Sequence, residues 1–256
     1  GLAIGEKTRA IVVDETMRSS DPDIYAAGDC VECIERITGQ ACFIPLGSTA
    51  NKQARVAAVN MCGGHDTFPG VYGSTVCKIF EYCVGRTGLT EKTARANGYD
   101  VIMVLSPGPD RAHYMPTSKL LMLKLIASRA TRKLLGIQVV GPGAGDKRVD
   151  VAAMALAAGM TVDQLAKVDL CYAPPFSGAM DNIITAADIA RNKLDGQMAS
   201  LTPMEVRAKL DAKEDFVLLD VRSPGEWEEV RLPGSLLIPL GALRERSGEL
   251  PKDKEI

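Results

Sequence analysis

No apolar stretch in this 256-residue chain approaches the roughly 20 residues that span a bilayer, so no helical membrane segment is expected. Excess charge is also missing. The chain has 30 Lys and Arg against 32 Asp and Glu, a formal net charge of -2, which leaves no electrostatic footprint for nucleic acid or a lipid surface. The opening residues, Gly-Leu-Ala-Ile-Gly-Glu-Lys, show no basic region followed by an apolar core, so no secretory leader is read there. The only histidines, His65 and His113, are isolated. Cys30-x-x-Cys33 has no second pair at zinc-ligand spacing, since Cys77-x5-Cys83 is a poor match, and no metal site is expected. The seven cysteines are an odd number in apolar contexts, which favours reduced thiols in a cytoplasm over a disulfide framework. Cys30 and Cys33 could serve redox chemistry, but buried packing suits them better.

What remains is an ordinary globular composition, 46% apolar and 24% charged. The most informative stretch is Ser19-Ser20-Asp21-Pro22-Asp23-Ile24-Tyr25-Ala26-Ala27-Gly28-Asp29. It reads as a polar turn, a short buried strand, then a glycine and a carboxylate at the strand's carboxyl end. Ligands of open α/β sheets bind just outside that end. A glycine there allows close backbone approach, and a carboxylate accepts hydrogen bonds from ligand hydroxyls.

Three segments follow from the patterning. In residues 1–67, strands are expected at Ile11-Val12-Val13 and Ile24-Tyr25-Ala26-Ala27, then a helix from Ser48, its expected N-cap, to Met61. Residues 68–195 read as strands first and helices after, an α+β unit. The expected strands are in Ser74 to Val84, at Tyr99 to Leu105, and in the hairpin Leu120 to Ala127 with Leu134 to Val140. A short helix is expected at Thr90 to Asn97. After Gly141-Pro142-Gly143 the period turns helical, with expected helices at Lys147 to Ala158, Val162 to Lys167 and Ala179 to Asn192. In residues 196–256, Thr202-Pro203-Met204-Glu205 has the form of a capping box with Pro at the first helical position. A buried strand, Phe216 to Val221, and a helix start at Ser223 follow.

At Ile24 to Asp29, together with Pro45-Leu46 and Ala50-Asn51-Lys52-Gln53-Ala54-Arg55, the chain resembles the pyridine nucleotide-disulfide oxidoreductases, which are FAD proteins. The resemblance implies a fold of α/β and α+β parts: a partial Rossmann-like FAD-binding unit and an α+β dimerisation domain. It assigns Gly28, Asp29, Pro45, Leu46, Ala50 and Phe176 to the cofactor site, with Asp29 on the ribityl chain. It aims the helix N-terminus at the flavin, where its partial positive charge suits an anion; by itself the helix also fits a plain Ala-rich packing element. A narrower likeness, to the coenzyme A disulfide reductase branch, rests on His113-Tyr114-Met115-Pro116, on Gly145-Asp146-Lys147-Arg148-Val149-Asp150 and on Cys171-Tyr172-Ala173-Pro174-Pro175-Phe176-Ser177. It implies a homodimer, a thiol or disulfide substrate such as coenzyme A persulfide or disulfide, and NAD(P)H as cosubstrate. It also implies that Tyr114 and Tyr172 act as hydrogen-bond donors near the reacting sulfur. The chain departs from the branch at Tyr114-Met115, where two tyrosines are usual, and at Met180-Asp181-Asn182, where Lys-Asp-Pro is usual. Both departures leave the substrate open among coenzyme A disulfide, persulfide, polysulfide and oxygen.

Residues Leu218 to Trp227, with Arg231-Leu232-Pro233-Gly234-Ser235, resemble a rhodanese domain, implying a truncated α/β rhodanese-like unit and an Asp220–Arg222 structural ion pair. No cysteine follows Cys171, so a rhodanese nucleophile is not among these residues. The resemblance also requires a Gly-rich FAD fingerprint, a redox cysteine and a nicotinamide domain. None is found here, and Gly141-x-Gly143-x-Gly145 reads as a turn. The chain therefore reads as a piece of a longer reductase. The alternatives are a non-catalytic dimerisation scaffold with a degenerate rhodanese fold, or an NADH oxidase of the same family.

Overall fold

The computed structural model describes residues 1–256, which divide into two compact units, Gly1–Ala199 and Ser200–Ile256. The first unit is built on a five-stranded antiparallel sheet. Its strands are β3 (Thr75–Ile79), β4 (Tyr82–Gly88), β5 (Val101–Pro109), β6 (Leu120–Ser128) and β7 (Leu134–Gly141), in the order β3-β4-β7-β6-β5. Before them lie β1 (Cys33–Ile34), β2 (Ala41–Cys42) and α1 (Gly47–Met61); between β4 and β5 lies α2 (Glu91–Ala96). After them come α3 (Gly145–Ala157), α4 (Val162–Leu165) and α5 (Asn182–Leu194).

Strand order explains the prolines of β5. Pro107 and Pro109 lack a donor, and β5 is an edge strand paired only with β6. In β6, Leu121, Leu123, Leu125 and Ala127 share one buried face by the two-residue period. They pack with Ile137 and Val139 of β7 against α3 and α5. The helices contribute Val149, Ala152 and Leu156 from α3, and Ile183, Ala186, Ala187 and Ala190 from α5. Alanines at these positions let the helix axes approach the sheet.

The strands expected at 11–13 and 24–27 are not formed. Ile11 makes single bridges to Ile4 and Val31, Val13 one to Ser19, and Tyr25 one to Arg18. Turns meet the backbone groups instead: Ile24 N–H donates to Asp21 O and Met17 N–H to Asp14 O. Ile24 itself is exposed. The helix expected from Ser48 begins earlier, at Gly47 after Leu46, which supplies no side-chain cap. Likewise α3 starts at Gly145 rather than Lys147.

The second unit contains α6 (Pro203–Asp211), β8 (Leu219–Asp220), α7 (Pro224–Glu229), β9 (Leu236–Leu237) and α8 (Leu240–Arg246). Reciprocal capping boxes form at Thr202 with Glu205 and at Ser223 with Glu226. β8 and β9 are parallel. The buried strand expected over 216–221 is half-buried over 216–220 and reduced to β8 and one bridge from Phe216 to Glu255, because its two ends pair with different neighbours, Glu255 and β9. Arg222 and Asp220 form a two-pronged ion pair at 2.6 and 3.0 Å, and Arg222 also donates to Val230 O. No helix of the chain is long and apolar enough to cross a membrane.

Candidate functional site

Two clusters contain the residues singled out from the sequence. The first is the turn ending in Gly28-Asp29 and the start of α1. Gly28 has φ +87°, in the left-handed region that favours glycine. A Cβ there would lie 3.5 Å from the Ala50 Cβ, so the turn rests directly on the first turns of α1. The join is made by Gln53, which is fully buried. Its Oε1 accepts from Gly28 N–H at 2.9 Å and its Nε2 donates to Cys33 Sγ at 3.3 Å. In the sequence Gln53 stands only as one residue of the Ala50 to Arg55 stretch, with no role of its own.

Asp29 is exposed, and no side chain or backbone group of the chain engages its carboxylate. Pro45 is exposed, while Leu46 and Ala50 are half-buried at the helix start. With no side-chain cap at Leu46, the first-turn N–H groups of α1 are open to an acceptor. A cavity of about 460 Å³ runs along the same helix, lined by Ser48, Thr49, Lys52 and Arg55, with Arg36 and Tyr72 opposite. The Arg36 guanidinium sits 4.8 Å from the Tyr72 ring centre. Asp66 also lines the cavity, but Arg36, Lys52 and Arg55 outnumber it, so this flank of α1 carries a positive excess.

Two of the thiols nearby, Cys33 and Cys42, are poor nucleophiles. Cys33 and Cys42 are opposed across β1 and β2. Burial pushes both thiols up, Cys42 to about 11, so neither is a thiolate at neutral pH. Cys30 is exposed and donates to Ala27 O. All seven cysteines are free, and no group of three or more His, Cys, Asp or Glu side chains gathers where a metal ion could be held.

The second cluster consists of two adjoining loops, 110–119 and 171–181. Tyr114 is 65% exposed, Tyr172 53% and Phe176 70%. The loops meet where Ala112 N–H donates to Pro174 O at 3.3 Å. Phe176 thus belongs with Tyr172 and shares no hydrogen bond with the Gly28 cluster. His113 meets Tyr114 edge-on, 5.6 Å between ring centres.

The loop bases hold buried charges that the sequence did not mark. Asp110 is fully buried; it accepts from Arg111, from Lys119 N–H at 2.9 Å and from Ala144 N–H at 3.1 Å. Burial works to raise its carboxyl pKa, but these hydrogen bonds outweigh it and hold the group below the ordinary carboxylate value. A Cβ on Gly143 would lie 2.7 Å from the Asp110 Cβ, and one on Gly145 would lie 2.9 Å from a Val139 methyl, so these glycines make room for side chains packed against them.

An exposed carboxylate beside a left-handed glycine, set on an uncapped helix, and a sheet-and-helix domain with paired aromatic loops define a class. Residues 1–57 match the family described as pyridine nucleotide-disulphide oxidoreductase, and residues 74–184 match that family's dimerisation domain. The chain belongs to this family. The NAD(P)H coenzyme A polysulfide/persulfide reductase of Pyrococcus horikoshii is 40% identical over 191 residues, covering 75% of this chain and 42% of that protein. The NAD-dependent persulfide reductase from A. fulgidus superposes with a TM-score of 0.92 at 46% identity, over 100% of this chain and 46% of that one. The reduced Bacillus anthracis CoADR-RHD superposes at 0.90 and 36% identity, over 99% and 45%. The chain spans less than half the length of each.

Proposed function

We propose that this chain is the cofactor-completing and dimer-forming part of an FAD-dependent, NAD(P)H-linked oxidoreductase that reduces disulfide, persulfide or polysulfide sulfur, with coenzyme A derivatives as the substrate class. One observation carries the reading: Asp29 presents an unengaged carboxylate beside Gly28, and Gln53 fastens that turn to the open end of α1. The residues fit the cofactor. Asp29 would accept from ribityl hydroxyls, Gly28 would admit the ligand, and the first-turn N–H groups of Gly47, Ser48 and Thr49, which follow Pro45 and Leu46, would meet an anionic edge, with Ala50 packed under Gly28. The positive flank of α1 suits a phosphate-bearing molecule. The chemistry supplied there is two-electron transfer from a nicotinamide to sulfur. In this reading residues 1–67 complete the FAD domain and residues 68–195 form the homodimer. Tyr114 and Tyr172, hydroxyl donors on exposed loops, orient the reacting sulfur, with Phe176 beside Tyr172 on the second loop.

Residues 196–256 are assigned to a rhodanese-like unit. Support comes from the parallel β8–β9 pair, the Asp220–Arg222 ion pair and the two solved relatives that match almost the whole chain. Free cysteines suit a cytoplasmic enzyme. The test is the visible absorption spectrum of the purified full-length protein, followed by NAD(P)H consumption with coenzyme A persulfide or disulfide. A flavin band that bleaches with NAD(P)H and returns with the sulfur substrate is expected. A protein that takes up no flavin from added FAD overturns the reading.

A further inference from the structure

Arg148, on α3, is 1% exposed and contacts neither loop tip. Its guanidinium instead joins the bases of both tyrosine loops. Nε and one terminal nitrogen donate to the two Asp181 oxygens at 3.0 and 2.7 Å. That nitrogen also donates to Asp110 O at 2.7 Å, and the other terminal nitrogen to Ala144 O at 2.8 Å. Asp110 closes the first loop on Lys119 through N–H and carboxylate bonds alike. Asp181 ends the second loop and caps α5 through Ile183 N–H. Within the second loop, buried Ser177 donates to Cys171 O. Arg148 thus fixes one loop's first residue and the other loop's last residue to the same planar group.

An ion pair this buried adds little net stability over apolar packing of the same volume; what it supplies is a fixed geometry. We propose that Arg148 is a positioning residue: it sets loops 110–119 and 171–181 in register, so that Tyr114 and Tyr172 are presented to the substrate as one unit. This rests on the reductase reading of Tyr172. Arg148 touches no reacting atom, and its effect passes through the tyrosines.

The test is a double-mutant cycle on the full-length, flavin-loaded protein, with Arg148→Lys, Tyr172→Phe and the pair. Lysine keeps the charge but cannot reach the carboxylate in two-pronged fashion and two carbonyls at once. Arg148→Lys is expected to lower kcat about tenfold in the wild-type background, and less than about twofold once Tyr172 is Phe. Should Arg148→Lys fail to fold, Asp181→Asn takes its place, since asparagine still caps α5; the same non-additivity is expected. Equal fold-losses in the two backgrounds, or an unchanged kcat in Arg148→Lys, overturn the proposal and leave the reductase reading standing. An unchanged rate in Tyr172→Phe alone overturns the role of the tyrosine, and with it the positioning of that tyrosine by Arg148.

Discussion

Residues 1–67 and 68–195 share one compact unit but are held together differently. The second region closes around twenty buried core residues on long, continuous strands. The first gathers only Met17, Cys33, Val56 and Ala57, with Phe68 beside them, and its strands are two residues long. There, side chains do the work of a ladder. Gln53 ties Gly28 to α1, Asn60 accepts from Asp66 N–H and donates to Thr16 O and Asp66 O, and the Glu35 carboxylate accepts from Ile37 and Thr38. A region organised by a few polar side chains leaves its backbone ends open, as a ligand site needs. A region organised by apolar area is stiff, as a platform for two loops needs.

The largest expected effect lies in the stiff region. Leu123→Ala, at a fully buried position in β6, should destabilise the fold by about 2–5 kcal/mol in denaturant titration, whereas Ile24→Ala, at an exposed position in the first region, should stay within ~0.5 kcal/mol. Equal losses would remove the distinction between the regions. Gln53→Ala comes next. It leaves Gly28 N–H without its acceptor and should cost about 1–3 kcal/mol. It should also loosen flavin retention, read from the cofactor-to-protein absorbance ratio.

A smaller effect concerns acid. The Asp110 carboxyl is held below its ordinary value in the folded state, so its contribution is fully present above about pH 4 and is lost as pH falls through the folded value. Asp110→Asn should therefore flatten the acid limb of a stability-against-pH profile while leaving the neutral slope alone. An acid limb as steep as that of wild type would place the lost protons elsewhere.

Much of the platform was legible in the sequence, and for local reasons. The hairpin of β6 and β7 alternates or runs apolar around a polar turn, and a helix was expected where α2 forms; in residues 196–256, Thr202 caps α6 as its pattern suggests and α7 starts after Ser223. The first region was harder to read. Ile11 to Val13 and Ile24 to Ala27 have strand composition, but composition does not say whether a neighbour is available, and here they find only isolated bridges and no continuous ladder. Ser48 looked like a cap because it is a good acceptor; the helix begins at Gly47 instead and leaves its end open. Asp110 gave no signal, and Gln53 and Arg148, though they lie in stretches that carry the family resemblance, showed no role of their own, because a lone polar residue carries no mark of burial until the fold surrounds it. The Gly28-Asp29 pair was visible by contrast, since a glycine and a carboxylate after an apolar run form a local pattern.

The central claim is that the Gly28-Asp29 turn completes a flavin site. The most direct measurement is equilibrium titration of the cofactor-free full-length protein with FAD, comparing wild type with Asp29→Ala at matched thermal stability. Asp29 is exposed and bears no internal bond, so the substitution should leave Tm nearly unchanged while weakening FAD binding by about tenfold or more, the size of a lost charge-assisted hydrogen bond. An unchanged affinity with an unchanged Tm would contradict the account.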